Sequence, residues 1–314
     1  MAIHPSAPLR AQRSPAPSDN TRGIILMALG FFAFAGTDLL AKLLTESLHP
    51  GQIVWFRLIG LFLGVLVLLC IKGPKILRTA HPGIQISRGT LAAVSATLFI
   101  FGVSKVPLAD ATAVTFIAPF VVTVAGALVL KEPVGIRRWL AVATGFLGML
   151  IVIRPGFGVF DPAIFFIVLA ALCFATRQIL SRMLSGEDGI ATTVAYTSIS
   201  ATVLISLAMP FVWITPSDPR VIAYLIAIAI AAAIGELLII RALEMAQAVV
   251  VAPLQYSLII WATLYGYFVF GDLPDQWTLI GCAIIVASGL FTLSRERLRA
   301  RQKERKNKLP ARED

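Results

Sequence analysis

Apolar runs of bilayer length recur along this chain, separated by short polar or glycine- and proline-bearing stretches. Ten are read, at 24–44, 52–71, 89–105, 110–130, 138–154, 163–181, 191–213, 221–241, 247–270 and 277–294. A helix needs roughly 20 apolar residues to cross hydrocarbon, or about 17 when it is short or supported by neighbours. The pattern predicts an all-α integral membrane protein with ten transmembrane helices. Only Val106-Pro107-Leu108 parts the third run from the fourth, and proline suits so tight a helical turn. The eighth and ninth are joined as tightly, through Ala242 to Ala246.

The pattern repeats itself. Phe34 to Leu44 lines up with Phe174 to Leu184, and the same 140-residue shift carries Glu132 onto Asp272. Two similar halves of five spans each must insert with opposite orientation, which makes the pair an inverted repeat about an axis in the membrane plane. The expected organisation is a disordered tail at 1–23, a first five-helix repeat at 24–154 and an outer linker at 155–162. A second repeat at 163–294 and a basic tail at 295–314 follow. The tail 1–23 has no apolar core before Ile24 and no small-residue cleavage pattern, so it reads as a cytoplasmic segment rather than a cleaved signal.

Composition supports the membrane reading: 58% of the 314 residues are hydrophobic and 14% charged. Soluble domains run about 45–50% apolar and about 25% charged. A net charge of +10 could suggest nucleic acid, but nine basic residues lie in the last twenty, beside a membrane exit. That placement is a topology and lipid-headgroup signal, so anionic lipid headgroups are the expected partner of the tail and nucleic acid is not. Lysine and arginine concentrate on alternate connections, with Arg177, Arg182 and Arg241 counted to the inside. Both termini are therefore expected in the cytoplasm and the protein in the cytoplasmic (inner) membrane. Cys70, Cys173 and Cys282 lie far apart in apolar segments and read as small core residues. No nucleotide, metal or cofactor motif is present; Gly156-Phe157-Gly158 lacks the rest of a dinucleotide fingerprint.

Charges at lipid depth carry the candidate chemistry, because each is costly there and needs a reason. Glu236 follows small residues in the eighth span. It reads as a proton-coupling carboxylate or a ligand for a cationic substrate, with a structural partnership to Arg241 or to a polar group of another helix as the alternative. Asp38 pairs with Lys42 at i,i+4 or faces a substrate. Arg57 either snorkels to the outer headgroups or attracts an anionic group. Asp110 is expected to cap the fourth span. In the ninth, Gln255, Tyr256, Trp261 and Tyr265 could hold a planar substrate, or simply pack. Pro119 and Pro253 each free a carbonyl and mark bent helices that could line a cavity. Gly60 with Gly64, and the small residues of spans five and ten, predict close helix packing.

Trp55-Phe56-Arg57, Ala118-Pro119-Phe120, Leu130-Lys131-Glu132 and Trp139 resemble the drug/metabolite transporter superfamily of the EamA type. In the second half Gln255-Tyr256 and Phe270-Gly271-Asp272 carry the resemblance, with Asp272 in place of the usual glutamate. It covers nearly all of residues 22–294. It implies a central cavity between the halves, open to each side in turn, and transport of a small organic metabolite such as an amino acid, purine, drug, riboflavin-like cofactor or S-adenosylmethionine. The second half resembles the riboflavin and S-adenosylmethionine uptake branches. A homodimer is one assembly such a chain could form. Two rival functions are weighed: an integral membrane enzyme on lipid-linked substrates and a passive metabolite channel. The enzyme would need paired carboxylates, histidines or metal ligands, whereas His4, His49 and His81 stand alone.

Overall fold

The computed structural model describes residues 17–128, 135–154, 161–184, 188–246 and 251–308, and all regular structure among them is helical. The helices are α1 (Pro17–Leu44), α2 (Pro50–Lys72), α3 (Pro82–Val103), α4 (Leu108–Thr115), α5 (Ile117–Leu128) and α6 (Ile136–Ile153). They continue as α7 (Ile164–Met183), α8 (Ile190–Val212), α9 (Pro219–Met245), α10 (Ser257–Tyr265) and α11 (Gln276–Lys308). Glu132, the linker glycines Gly156 and Gly158, and residues 1–16 lie outside the described residues. So do the side chains of the basic tail, whose backbone continues α11 as far as Lys308. At the other end α1 begins at Pro17, within the stretch read as a tail.

Proline and capping residues set the starts. Pro50, Pro82 and Pro219 each sit in the first turn, where the missing N–H would have had no helical partner. His49 and Asp218 cap α2 and α9 by accepting the N–H of Gly51 and Arg220. Among the described residues, seven apolar helices are long enough to cross a bilayer. Three shorter apolar helices join them: Trp139–Ile153, Leu254–Phe270 and Gln276–Phe291. Val67, Phe165, Leu207, Phe211 and Phe268 are more than half exposed on the outside of the bundle. That surface is the expected one for a body solvated by lipid.

Close packing follows the internal repeat. Helix α1 packs on α9 and, with the halves exchanged, α7 packs on α3; α2 on α9 and α8 on α3 form a second exchanged pair. The shift of 140 residues carries individual contacts onto one another. Ser95 donates to the Ala170 carbonyl at 2.8 Å, and in the image position a Cβ on Gly235 would stand 3.4 Å from the Gly30 carbonyl. A Cβ on Gly102 would meet Ala163 O, and one on Gly23 would meet Ala242 O, each at 3.3 Å. Gly60 lies against Ala229 as Gly89 lies against Ser200. Small residues let these backbones approach. Gly64, expected to share the face of Gly60, has nothing near it. The α6–α11 seam runs over Gly145, Gly148, Gly281 and Ser288, as the sequence predicts.

The fourth span of each half is broken. Helix α4 ends at Thr115, whose carbonyl would have been the partner of the N–H that Pro119 lacks, and Phe116 instead bonds Ala113 O at 3.1 Å. The equivalent segment of the second half runs as a 3₁₀ turn (Ala252–Tyr256), then α10, then a π turn (Gly266–Phe270). Discontinuous helices at corresponding positions of two repeats point to where a transporter holds its substrate.

Candidate functional site

Four charges from four helices meet inside the apolar body. Arg57 of α2 donates to Asp38 of α1 at 2.9 Å, with side chains 17% and 19% exposed. The Arg57 guanidinium lies 5.4 Å from the centre of the Phe34 ring. Arg177 of α7 lies 4.8 Å from the centre of the Phe174 ring, and Glu236 of α9 is the carboxylate that acts on it electrostatically. Arg57 acts on Glu236 as well. Phe34 and Phe174 are repeat images, so each half presents one ring carrying one arginine. Glu236 follows Gly235, whose open Cα face receives Phe34.

Several expected local pairings give way to longer ones. Asp38 takes Arg57 rather than Lys42. Arg57 is held inside by that bond and by Phe34 rather than snorkelling outward. For Glu236 the electrostatic partners are Arg177 and Arg57, polar groups of other helices, rather than Arg241 of its own. Arg177, which the sequence groups with the cytoplasmic cations, has its Nε buried and without a hydrogen-bond partner among the described residues. Next to this cluster Trp261 of α10 meets Phe32 edge-on at 5.0 Å, and Tyr265 lies 5.7 Å from the same ring. The Trp261 indole N–H is also buried without a hydrogen-bond partner among the described residues.

The end that the charge rule assigns to the outside is tied across the halves. Lys42 reaches Asp272 at 3.5 Å, Val106 O at 3.1 Å and the Phe270 ring at 4.7 Å. Arg154 pairs with Asp275. It does so from a left-handed backbone (φ 47°) that ends α6, a conformation uncommon outside glycine. Asp110, expected to be a helix cap, stands inside the first turn of α4 and accepts the Thr278 hydroxyl at 2.9 Å.

The opposite end holds a cleft of about 420 Å³, inside the range of small-molecule sites. Its walls are aromatic: Phe116 stacks on Tyr256 and Phe120 on Phe146, both at 5.0 Å, and Phe174 closes one side. Gln178, Ser181, Arg182, Gln255 and Ser288 line it with polar groups. A Cβ on Gly289 would collide with the Tyr256 hydroxyl, so only glycine leaves room for that ring. Beside the cleft the halves are joined by Arg88 donating to Ser181 at 2.8 Å. Asp188 accepts from both Thr79 and Gln85 at 2.7 Å. The Thr79 and then the Gln85 hydrogen bond hold the Asp188 carboxyl below the usual range.

The predicted site residues therefore fall into two groups. Asp38, Arg57 and Glu236 share the charged centre with Trp261 and Tyr265 nearby, whereas Gln255 and Tyr256 belong to the cleft. Arg177 and Phe174 complete the link: Phe174 lines the cleft and carries Arg177 on its face. Sequence reasoning missed both. The available signal was a cation six residues short of the end of its helix.

Comparison with known proteins fits this arrangement. Residues 21–154 match the EamA-like transporter family, and residues 161–294 match it a second time. The chain belongs to that family. Its EamA repeats coincide with the two halves whose contacts exchange. An S-adenosylmethionine uptake transporter of Rickettsia prowazekii is 26% identical over 88% of this chain and 93% of its own length. A riboflavin transporter of Vibrio cholerae is 31% identical over 72% of this chain and 76% of its own. A pseudopaline exporter of Pseudomonas aeruginosa is 27% identical over 85% and 94%. One solved crystal structure aligns with a TM-score of 0.62 over 90% of this chain and 98% of that one, at 17% identity, which shows a shared fold. The chain is an integral membrane protein of a transporter family, and the enzyme reading is set aside.

Proposed function

We propose that this EamA-family protein is a secondary active transporter of a small organic metabolite in the cytoplasmic membrane, working by alternating access and driven by a proton or ion gradient or by exchange. Ten spans in two inverted five-helix repeats, with both termini cytoplasmic, form its frame. The exchange of contacts between the halves supports that frame, since it is the symmetry an inverted repeat would produce.

The observation that carries the mechanism is the charged centre standing between a tied outer end and a cleft in the inner half. Asp38, Arg57, Arg177 and Glu236 come from α1, α2, α7 and α9 of both halves, so any rocking of one half on the other moves them apart. Lys42–Asp272 and Arg154–Asp275 are the contacts that outward opening would break. Trp261, Tyr265, Gln255 and Tyr256 offer ring surfaces and hydrogen bonds to the substrate. Relatives named for S-adenosylmethionine and riboflavin make these two the first compounds to test.

Glu236 is the residue assigned to coupling, as a carboxylate that alternates between a proton and its arginines. Purified protein in liposomes is expected to show saturable, counterflow-competent uptake of one of the two compounds. Glu236→Gln is expected to keep exchange while losing accumulation against a gradient. Flux that never saturates would point to a channel, and unaltered accumulation in Glu236→Gln would remove that residue from coupling.

A further inference from the structure

The repeat offers an internal control on the four central charges. The 140-residue shift places Gln178 opposite Asp38, Thr197 opposite Arg57, Thr37 opposite Arg177 and Ala96 opposite Glu236. Every charge has a neutral image in the other half, at a site packed by the same helix pairs. The scaffold therefore folds around neutral residues in these positions, and the charges serve something the scaffold does not require. Burying a charge is costly unless it is paired and hydrogen-bonded.

The two arginines differ in how that cost is met. Arg57 has its carboxylate, Asp38, in direct contact at 2.9 Å. Arg177 rests on the equivalent ring, Phe174, but the residue in the place of Asp38 is Gln178, and the Nε of Arg177 is a buried donor without a hydrogen-bond partner among the described residues. Glu236 supplies field rather than a bond to that nitrogen. A planar guanidinium offers a fork of donors that fits a carboxylate in two-point fashion. Phe174, on which it rests, is at the same time a wall of the cleft, so Arg177 stands one ring behind that wall rather than on it.

We propose that Arg177 is the specificity-determining residue that reads a carboxylate on the transported molecule. The ligand class is an organic acid or amino acid that also carries a planar ring, its ring against the cleft aromatics and its carboxylate on Arg177. Glu236 is the counter-charge that Arg177 exchanges for the ligand. This assignment rests on the transporter reading above.

Two probes that differ by one carboxylate test it: S-adenosylmethionine and its decarboxylated form, with riboflavin as a carboxylate-free third. Binding to the purified full chain is followed by thermal shift and isothermal titration. Wild-type protein is expected to bind the carboxylate-bearing probe about tenfold or more tightly than the decarboxylated one, the size expected of a hydrogen bond to a charged group. Arg177→Gln should bring the two within about twofold while leaving the decarboxylated probe unchanged, and Arg177→Lys should fall between. Equal binding of both probes by wild-type protein overturns the proposal with no variant needed. Discrimination that persists in Arg177→Gln overturns it too. Uptake of riboflavin alone, unaffected by Arg177→Gln, leaves the transporter reading standing and removes the carboxylate assignment. Failure of folded wild-type protein to bind any of the three overturns both the assignment and the substrate class behind it.

Discussion

The Asp38–Arg57 pair is the contact whose energetics can be worked most directly. It is an ion pair at 2.9 Å, four-fifths buried on both sides. Removing one partner of such a pair costs about 3–5 kcal/mol, because the other charge stays behind uncompensated. At lipid depth a lone aspartate or arginine is itself worth about 2.5–3.5 kcal/mol against insertion. Arg57→Gln and Asp38→Asn should therefore each destabilise the protein by about 3 kcal/mol. The double variant leaves two neutral groups, as the image positions Gln178 and Thr197 do, and should recover most of that loss. The coupling energy, the two single losses less the small loss left in the double, is then about 5 kcal/mol, on the order of several thousandfold in the unfolding equilibrium. Reversible unfolding in mixed micelles, read by tryptophan fluorescence, measures the cycle. Losses in the single variants that simply add in the double would refute the reasoning. They would return Arg57 to the role of a headgroup anchor.

Three further outcomes are expected. Lys42→Ala with Arg154→Ala removes two partly exposed ion pairs, each worth up to about 1 kcal/mol; a cysteine placed at Ala109 should then react severalfold faster with an impermeant thiol reagent added outside, and an unchanged rate would mean the ties do not hold the outer end shut. At Gly281, a Cβ would stand 2.6 Å from the Gly148 carbonyl, so Gly281→Ala should cost about 1–3 kcal/mol by overpacking, read in the same unfolding assay, whereas Gly64→Ala, with open space around it, should cost far less. Asp188 has a lowered folded-state pKa through Thr79 and Gln85, so its stabilisation is present above the unfolded aspartate value of about 3.9 and is lost as pH falls through the folded one. Asp188→Asn should accordingly flatten the acid limb of the stability profile, and parallel profiles would exclude that contribution.

What the sequence made legible was whatever depends on short-range pattern. Hydropathy located the apolar helices, seven of them long enough to cross a bilayer and three shorter among the described residues, because a sustained apolar run marks each one. Pro119 and Pro253 marked the broken helices, because a missing N–H disrupts the ladder wherever it falls. Small residues at Gly148 and Gly281 announced a close seam. The partners of the charges were illegible for the opposite reason. Asp110 meets Thr278, 168 residues away, and Lys42 meets Asp272, 230 away. The i,i+4 rule offered Asp38 only Lys42, yet Lys42 turned outward to the loop beyond Phe270, and the contact across to α2 won. Arg177 was misread by a rule that counts cations near a helix end without asking which face they take. The same shift that revealed the repeat places Thr37 opposite it, and that mismatch is a second sign of its special place, beside its distance from the helix end.

Symmetry and its breaking carry different parts of the function. Alternating access needs two halves that pack alike, and here glycine and serine contacts recur across the 140-residue shift. Recognition needs the opposite, since a single ligand cannot satisfy two mirrored sets of groups at once. All four central charges fall where the repeat is broken, and they are shared between the halves, two from each. A centre assembled in this way is complete only when both halves converge on it. Separating the halves at either end leaves Asp38 with Arg57 in one of them and Arg177 with Glu236 in the other, each pair internally neutral. The exchange of Glu236 for a ligand carboxylate on Arg177 would then leave Glu236 as the one acid without its arginine, and the one for which a proton is the replacement partner. Carboxylate recognition and proton coupling would thus be two sides of a single event at α7 and α9, and a carboxylate-free ligand should be carried without driving it.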